Sequence, residues 1–242
     1  MTHRKVVAFL WDFDGTLVDT RRRNFEVTRR IVRDLGAPVR DVPALSSPHQ
    51  YDQAQRRTAN WREFYRRYLG LSEEETDRAG KLWSAYQLKD VHQVPTLEGV
   101  GEALAALRDY PHGIVSQNAR EVIQRTLSQS RLEDHFEVIV GYAEVPLRKQ
   151  KPDPGGLLLC LQCLSQEQPG YAFYIGDHET DMHTVANANQ ALERRGEAMR
   201  VVSIAATYCL SRPETWRFQP DYVLDHPSGL VDIKKEFEKT EA

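Results

Sequence analysis

Two pairs of aspartates stand directly after apolar stretches of the chain. Asp12 and Asp14 follow a run that begins at Val6, and Asp177 and Asp181 follow a second run much later in the sequence. Four carboxylates brought to one place would repel one another unless a cation lay between them. Mg²⁺ accepts carboxylate, carbonyl and water oxygens and keeps several waters that a substrate phosphate can replace. These residue types therefore predict a magnesium site and chemistry on a phosphate group.

The apolar stretches that precede these acids have the pattern of strands buried on both faces. Each is short, rich in β-branched or aromatic residues, and apolar at successive positions. Helical patterns separate them, so the sequence predicts an α/β fold with a Rossmann-like parallel sheet and helices on both faces. The predicted strands are 5–11, 113–117, 137–142, 172–177, 201–206 and 222–224, and the predicted core helices are 99–108, 119–130, 155–164 and 180–192.

This topology gathers further polar residues at one edge of the sheet. In an open α/β sheet the ligand site lies beyond the carboxyl ends of the strands. Ser116 and Asn118 follow the second predicted strand, and Lys151 stands in the loop after the third. We therefore expect a hydroxyl, an amide and an ammonium to converge on the edge that carries the acids. Asn118 has an alternative role as the cap of the helix that is predicted from 119.

A long segment without a strand pattern separates the first two predicted strands. It shows helical periodicity, and a connection between parallel strands needs only about a dozen residues. We therefore expect an inserted α-helical cap domain at 20–92, within a core formed by 1–19 and 93–242. Residues 20–70 contain twelve arginines, no lysine and five acidic residues, a net charge of +7. Such an insert could steer an anionic substrate, whereas solvated helix faces are the plainer interpretation.

The composition excludes several classes of protein. With 242 residues, 40% apolar and 28% charged, the chain is unlike a disordered, collagen-like or coiled-coil protein. Its net charge of −3 argues against a protein that mainly binds nucleic acid. No apolar run approaches the roughly 20 residues that a membrane-spanning helix needs. The three cysteines cannot all pair with one another, and a chain of this length needs no disulfide to fold, which favours a reducing compartment. We expect a soluble, cytoplasmic protein with no nucleic-acid or membrane partner, either a monomer or a homodimer.

Four motifs resemble those of the haloacid dehalogenase-like hydrolase superfamily, in the same order and with similar spacing. They are DFDGTLVD at 12–19, SQN at 116–118, KPDP at 151–154 and GDHETD at 176–181. The long insert after the first motif is similar to that of the subclass with a helical cap. This subclass includes phosphoglycolate phosphatase-like and β-phosphoglucomutase-like enzymes. Together the four motifs span nearly the whole predicted core.

The resemblance implies a role for each motif residue. Asp12 would be the nucleophile that forms an aspartyl-phosphate, and Asp14 the general acid and base. The side chains of Asp12 and Asp177 and the backbone carbonyl of Asp14 would bind Mg²⁺. Asp181 would orient a metal-bound water or the catalytic Lys151. The residues expected to bind the transferring phosphoryl group are Thr16, Ser116, Gln117, Asn118 and Lys151, and Thr16 is also expected to hydrogen-bond within its loop.

Asp14 separates the chemistries found on this scaffold. Dehalogenases of the superfamily lack an acid at the corresponding position, since a halide leaving group needs no proton. Phosphonatases place a small residue there and recruit a cap lysine, and this insert has no lysine between Thr20 and Gly80. We therefore expect a Mg²⁺-dependent phosphatase, a phosphoric monoester hydrolase that acts on a small metabolite such as phosphoglycolate or a sugar phosphate. A phosphosugar mutase and a non-catalytic phosphate-sensing protein are the alternatives that the sequence leaves open.

Three further features are expected to be structural. Cys160 and Cys163 lie in an apolar helical stretch, where their spacing predicts that both thiols face the core. His178 lies within the fourth motif and His183 two residues after it, without a third residue at zinc-ligand spacing. The polar extension at 187–196 is predicted to be either a lengthened helix or a local loop.

Overall fold

The core of the protein is a parallel β-sheet. The structure is a computed structural model that describes residues 5–36, 42–58, 60–90, 92–165, 169–209 and 211–239. The strands are β1 (Val6–Trp11), β2 (His112–Val115), β3 (Val138–Val140), β4 (Gly170–Gly176), β5 (Met199–Ala206) and β6 (Tyr222–Leu224). All neighbours pair in parallel, in the spatial order β3-β2-β1-β4-β5-β6. The predicted α/β fold with a Rossmann-like sheet is confirmed.

Both faces of the central strand β1 are covered. Ala8 and Leu10 lie in one hydrophobic cluster with Leu157. Phe9 points to the opposite face, where its ring meets Phe173 edge to face with 5.5 Å between the centroids. Because successive side chains of a strand point to opposite faces, a strand covered on both sides must be apolar at successive positions. That is the pattern from which the strands were predicted.

Residues Thr20–Val94 form a compact helical unit of their own. Its helices are α1 (Arg21–Asp34), α2 (Pro48–Gln55), α3 (Trp61–Leu69) and α4 (Glu73–Lys89). A cluster of aromatic and aliphatic side chains forms its core. The chain up to Asp19 and from Pro95 onwards forms the other compact unit, so the second junction lies two residues after the predicted one at 92/93.

The arginine-rich start of the helical unit lies within a helix. Helix α1 begins at Arg21, so three arginines occupy its first turn with no acidic residue to offset the helix dipole. One of them, Arg23, is buried. Burial raises the pKa of Asp90, but hydrogen bonds from His92 and the charges of His92 and Arg23 hold it below its ordinary value. The charge of Arg23 is thus one of the influences that lower the pKa of Asp90 within the helical unit.

Among the described residues of the core unit, five α-helices accompany the sheet. They are α5 (Val100–Ala106), α6 (Arg120–Ser130), α7 (Gly155–Ser165), α8 (Glu179–Arg194) and α9 (Leu230–Lys239). The polar extension at 187–196 belongs mostly to α8, so the connection to β5 is a lengthened helix. In the part of the chain that the structure describes, none of the helices combines the length and the hydropathy that a bilayer crossing needs.

The two cysteines of α7 have different environments. Cys160 is buried against the strands, and a Cβ added to Gly113 would lie 2.4 Å from its sulfur. Cys163 is exposed. The prediction that both thiols face the core is therefore wrong for Cys163. Residues three apart on a helix differ by about 60° in direction, which places Cys163 beyond the edge of the buried stripe.

Candidate active site

The sheet brings the first and fourth motifs together where the strand order reverses. The main-chain N–H of Asp12 donates to the carbonyl of Ile175 at 2.8 Å, which extends the pairing of β1 with β4. Asp12 and Asp177 thus directly follow the carboxyl ends of the adjacent strands β1 and β4. Ser116 follows the carboxyl end of β2, which lies on the other side of β1. Ligands of open α/β sheets bind at such a reversal.

Lys151 is held between two of the acids. Its Nζ donates to Asp12 Oδ1 at 2.6 Å and to Asp181 Oδ1 at 2.7 Å. The lysine side chain is 7% exposed and that of Asp181 is 3% exposed, so water screens their attraction little. The side-chain amide of Gln117 donates to the carbonyl oxygen of Lys151 at 3.3 Å. This bond ties the loop that carries the lysine to the loop that follows β2.

The charges of this cluster shift its titration. Burial is the main cause that raises the pKa of Asp12 well above its ordinary value. The carboxylates of Asp181, Asp177 and Asp14 raise this pKa further, while the neighbouring ammonium lowers it. Burial lowers the pKa of Lys151, but the attraction of Asp12 and Asp181 raises it well above its ordinary value. One ammonium thus faces a surplus of carboxylates, an arrangement that a divalent cation stabilises.

Three of the carboxylates fit a hard cation. Oxygens of Asp12, Asp177 and Asp181 lie within 4.8 Å of one another, and all three residues are buried. Gly15 forms one wall of this group, because a Cβ at that position would lie 2.5 Å from Asp177 Oδ2. Its φ of +77° lies in the left-handed region that glycine favours. The donor set is therefore compatible with Mg²⁺, which prefers oxygen ligands.

The carboxylate of Asp14 has a different partner. The side-chain amide of Asn118 donates to Asp14 Oδ2, and the main-chain N–H of Asn118 donates to Ser116 Oγ at 3.1 Å. The second motif thus orients the acid of the first. The alternative role of Asn118 as a helix cap is not observed, because Ala119 occupies the N-cap of α6 and this cap makes no side-chain hydrogen bond.

The turn after β1 is closed by its main chain. The N–H of Gly15 donates to the Val18 carbonyl at 2.9 Å, and the N–H of Leu17 donates to the Phe13 carbonyl at 3.0 Å. Thr16 is fully buried here, yet its hydroxyl has no hydrogen-bond partner among the described residues. Thr16 does hydrogen-bond within its loop, as predicted, but through its main-chain N–H, which donates to the Phe13 carbonyl at 3.4 Å. Its contact with a phosphoryl group stays a prediction.

Sequence reasoning missed three hydroxyl-bearing residues that contact the motifs. Tyr174 on β4 donates to Asp181 Oδ1 at 3.1 Å, and Tyr208 and Ser211 in the loop after β5 donate to main-chain carbonyls of the first and fourth motifs. The position of Tyr174 carried a signal, because a phenol inside a strand buried on both faces needs a hydrogen-bond partner. The two loop residues carried none.

The two histidines at the fourth motif, His178 and His183, have partners in the core unit. The His178 side chain accepts from the main-chain N–H of Thr180 at 3.2 Å, and the main-chain N–H of His178 donates to Asp181 Oδ2 at 3.1 Å, which caps α8. His183 stacks on Phe218 with 3.8 Å between the ring centroids. These contacts account for both residues in structural terms.

Comparison with known proteins identifies the family. Residues 9–192 match the haloacid dehalogenase-like hydrolase family. The pyrophosphatase PpaX of Listeria monocytogenes is 28% identical, over 97% of this chain and 99% of its own length. A HAD-superfamily hydrolase of subfamily IA from Geobacter sulfurreducens has the same fold, with a TM-score of 0.62, 20% identity, and coverage of 95% of this chain and 96% of its own.

A Haemophilus somnus protein described as a predicted phosphoglycolate phosphatase also shares the fold. Its crystal structure has a TM-score of 0.68 and 17% identity, and the match covers 96% of this chain and 99% of that protein. The family match covers most of the chain, and its catalytic motifs meet where the sheet order reverses. The chain therefore belongs to the haloacid dehalogenase-like hydrolase family, as its four motifs predicted, and it is an enzyme of that family.

Proposed function

We propose that this enzyme is a Mg²⁺-dependent phosphatase that hydrolyses a small phosphorylated metabolite through an aspartyl-phosphate on Asp12. The observation that carries the proposal is the buried cluster at the sheet reversal. There Lys151 donates to Asp12 at 2.6 Å, and oxygens of three aspartates lie within 4.8 Å. The cluster thus combines a nucleophile (Asp12), a cation that can stabilise developing negative charge (Lys151) and carboxylate oxygens that can bind a metal. Asp14, bonded to Asn118, supplies the acid that ester hydrolysis requires.

In the first half-reaction a carboxylate oxygen of Asp12 attacks the phosphorus of the ester. A phosphorus–oxygen bond forms to Asp12, and the bond to the leaving alcohol oxygen breaks. Asp14 enters this step protonated and gives its proton to the leaving oxygen, so the product departs as a neutral alcohol. The phosphoryl group remains on Asp12 as an acyl phosphate.

In the second half-reaction a water molecule attacks the same phosphorus. Asp14, now ionised, takes a proton from this water as the new bond forms. The bond between phosphorus and Asp12 breaks, which returns the free carboxylate and releases inorganic phosphate. Ester and water are consumed, alcohol and phosphate are produced, and both aspartates regain their starting protonation states.

The phosphoryl group would be held by donors from the second and third motifs. The Ser116 hydroxyl accepts from the Asn118 N–H, which leaves its own proton to donate to a phosphoryl oxygen. The Gln117 N–H and the Lys151 ammonium would donate to the other oxygens and spread their charge. Thr16 is a further donor candidate, because its buried hydroxyl has no partner among the described residues.

The metal would be held by the side chains of Asp12 and Asp177 and by the backbone carbonyl of Asp14. When bound, Mg²⁺ supplies positive charge that reduces the repulsion between an anionic substrate and the attacking carboxylate. Asp181 accepts from Lys151 at 2.7 Å and so fixes the ammonium beside the nucleophile. Without the Asp181 carboxylate, the Lys151 ammonium would not be held in one position relative to the phosphate.

Two related proteins suggest which phosphates to test. The relative that matches nearly full length is named a pyrophosphatase, and one structural neighbour is named for phosphoglycolate. Pyrophosphate can enter the same two half-reactions, with inorganic phosphate in place of the alcohol. Small phosphomonoesters, such as phosphoglycolate and sugar phosphates, remain the main substrate class of this proposal.

The test is release of inorganic phosphate from a panel of phosphoglycolate, hexose phosphates and pyrophosphate, with and without Mg²⁺. Asp12→Asn is the blank, because it removes the nucleophile but keeps the shape of the side chain. We expect Mg²⁺-dependent release that is lost in this variant by at least about 10³-fold. Trapping of a phosphorylated Asp12 in the wild-type protein would establish the intermediate.

Two outcomes would favour the alternatives. Conversion of one hexose phosphate into an isomer, without net release of phosphate, would favour a phosphosugar mutase. Tight binding of phosphate by folded protein, without turnover of any compound in the panel, would favour a phosphate sensor. Release that is unchanged in Asp12→Asn would contradict the proposed nucleophile.

A further inference from the structure

The loop that follows β5 is anchored to the neighbouring strand before it reaches the active site. The N–H of Thr207 donates to the Leu224 carbonyl at 2.8 Å, and the Thr207 hydroxyl donates to the same oxygen at 3.2 Å. Leu224 is the last residue of β6. These two bonds fix the start of the loop beside the carboxyl ends of β5 and its neighbour β4.

Two hydroxyl groups of this loop reach the catalytic motifs. The phenol of Tyr208 donates to the main-chain carbonyl of Thr16 at 2.8 Å, which braces the turn after β1. The hydroxyl of Ser211 donates to the main-chain carbonyl of Asp177. One loop thus contacts both the turn that follows Asp12 and the residue that directly follows β4.

Ser211 is also close to the carboxylate of Asp177. Its Oγ lies 3.4 Å from Asp177 Oδ2, and the serine is 7% exposed. On another side the same oxygen faces Gly15, where a Cβ would lie only 2.5 Å away. Ser211 and Gly15 together restrict where this carboxylate oxygen can lie.

We propose that Ser211 is a positioning residue that holds Asp177 in the orientation needed to bind the metal. This inference rests on the proposed function, which makes Asp177 a ligand of Mg²⁺. A carboxylate that can rotate must be ordered when the metal binds, and this ordering weakens binding. Substitution of a residue that holds such a ligand therefore typically lowers metal affinity by about 10- to 100-fold. The serine acts through the main chain and Oδ2 of Asp177, without contact to substrate.

The test compares Ser211→Ala with a matched control, Ser203→Ala. Ser203 is also a buried serine of the core unit, and its hydroxyl donates to Asp221 Oδ2 at 2.8 Å. Both variants lose one hydroxyl of similar burial, but only Ser211 contacts a proposed ligand of the metal. Asp177→Asn sets the limit expected when the ligand itself is changed.

The readout is the rise in melting temperature as Mg²⁺ is added to chelator-treated protein, which reports binding independently of turnover. We expect the Mg²⁺ concentration at half effect to rise at least about 10-fold in Ser211→Ala and to stay within about twofold of wild type in Ser203→Ala. The phosphatase assay should show the same shift in Mg²⁺ requirement, with kcat largely restored at saturating Mg²⁺.

Each other result overturns a defined part of the reasoning. If wild type and Ser211→Ala respond to Mg²⁺ at the same concentration, the proposed role of Ser211 is overturned and the proposed function is unaffected. Equal shifts in Ser211→Ala and Ser203→Ala would mean general loosening of the core, which also overturns it. A wild-type protein that neither binds nor requires Mg²⁺ overturns the proposed metal site and this inference with it.

Discussion

His112, at the start of β2, should make the core unit lose stability as the pH falls. Its Nδ1 lies 3.0 Å from Trp11 Nε1, and its Nε2 lies 3.1 Å from the Leu107 carbonyl oxygen. An indole nitrogen can only donate, so Nδ1 is the acceptor and Nε2 carries the proton. The buried imidazole is therefore neutral, and a second proton on Nδ1 would face the indole N–H.

The size of the effect follows from the pKa of His112 in the two states. Burial is the main cause that lowers this pKa from 6.5 to about 4; the hydrogen bond to Leu107 opposes the shift, and the charge of His135 adds to it. A folded-state pKa below the unfolded one gives stability that is fully present above pH 6.5 and is lost as the pH falls towards 4. The two values predict a loss of about 2 kcal/mol between pH 7 and pH 5.

The assay compares wild type with His112→Gln, which cannot titrate but can still donate to the Leu107 carbonyl. The free energy of unfolding is measured along a urea series by hydrogen exchange of peptides from β1 and β2, because a chain of two units need not unfold in one step. The advantage of wild type over His112→Gln should shrink by about 2 kcal/mol between pH 7 and pH 5.

A control at an exposed histidine separates this effect from general acid sensitivity. His226→Gln changes a histidine of the core unit whose side chain is exposed, and its stability should follow the pH dependence of wild type. Parallel curves for wild type and His112→Gln would refute the reasoning, since the buried imidazole would then contribute nothing to the pH dependence.

Two further predictions concern the carboxylate cluster. Gly15→Ala places a Cβ 2.5 Å from Asp177 Oδ2 at a φ of +77°, so we expect the Mg²⁺ requirement of phosphate release to rise about 10-fold or more; an unchanged requirement would show that the carboxylate moves freely. Lys151→Met leaves the buried carboxylates of Asp12 and Asp181 without their ammonium, so the free energy of unfolding in metal-free buffer should fall by about 3–5 kcal/mol at pH 7. Because burial raises the pKa of Asp12, protonation of this acid should relieve part of that loss at pH 5, and equal losses in urea unfolding at both pH values would contradict the charge argument.

The gathering of the motif residues could be predicted from the sequence, because these residues adjoin strand ends. A run that is apolar at successive positions indicates a strand covered on both faces, and such strands are parallel in α/β folds. The carboxyl ends of parallel strands meet at one edge, so the sequence predicts that Asp12, Ser116 and Asp177 lie close together. The polar extension at 187–196 shows the limit of this reasoning, because its sequence pattern fits both a lengthened helix and a loop, and the structure places most of it in α8.

Partners within the site were decided by the tertiary structure. Asn118 bonds to Asp14 across 104 residues, and Ser211 bonds to Asp177 across 34. Helical and strand periodicity depends on neighbours in the sequence, and it predicts which face of an element is buried. A hydrogen bond between two loops depends instead on positions matched to a few tenths of an ångström, which the packing of the whole sheet determines. The sequence by itself thus determined the fold and the edge at which the motifs meet, whereas the folded chain alone decided which hydroxyl, amide and ammonium hold each carboxylate.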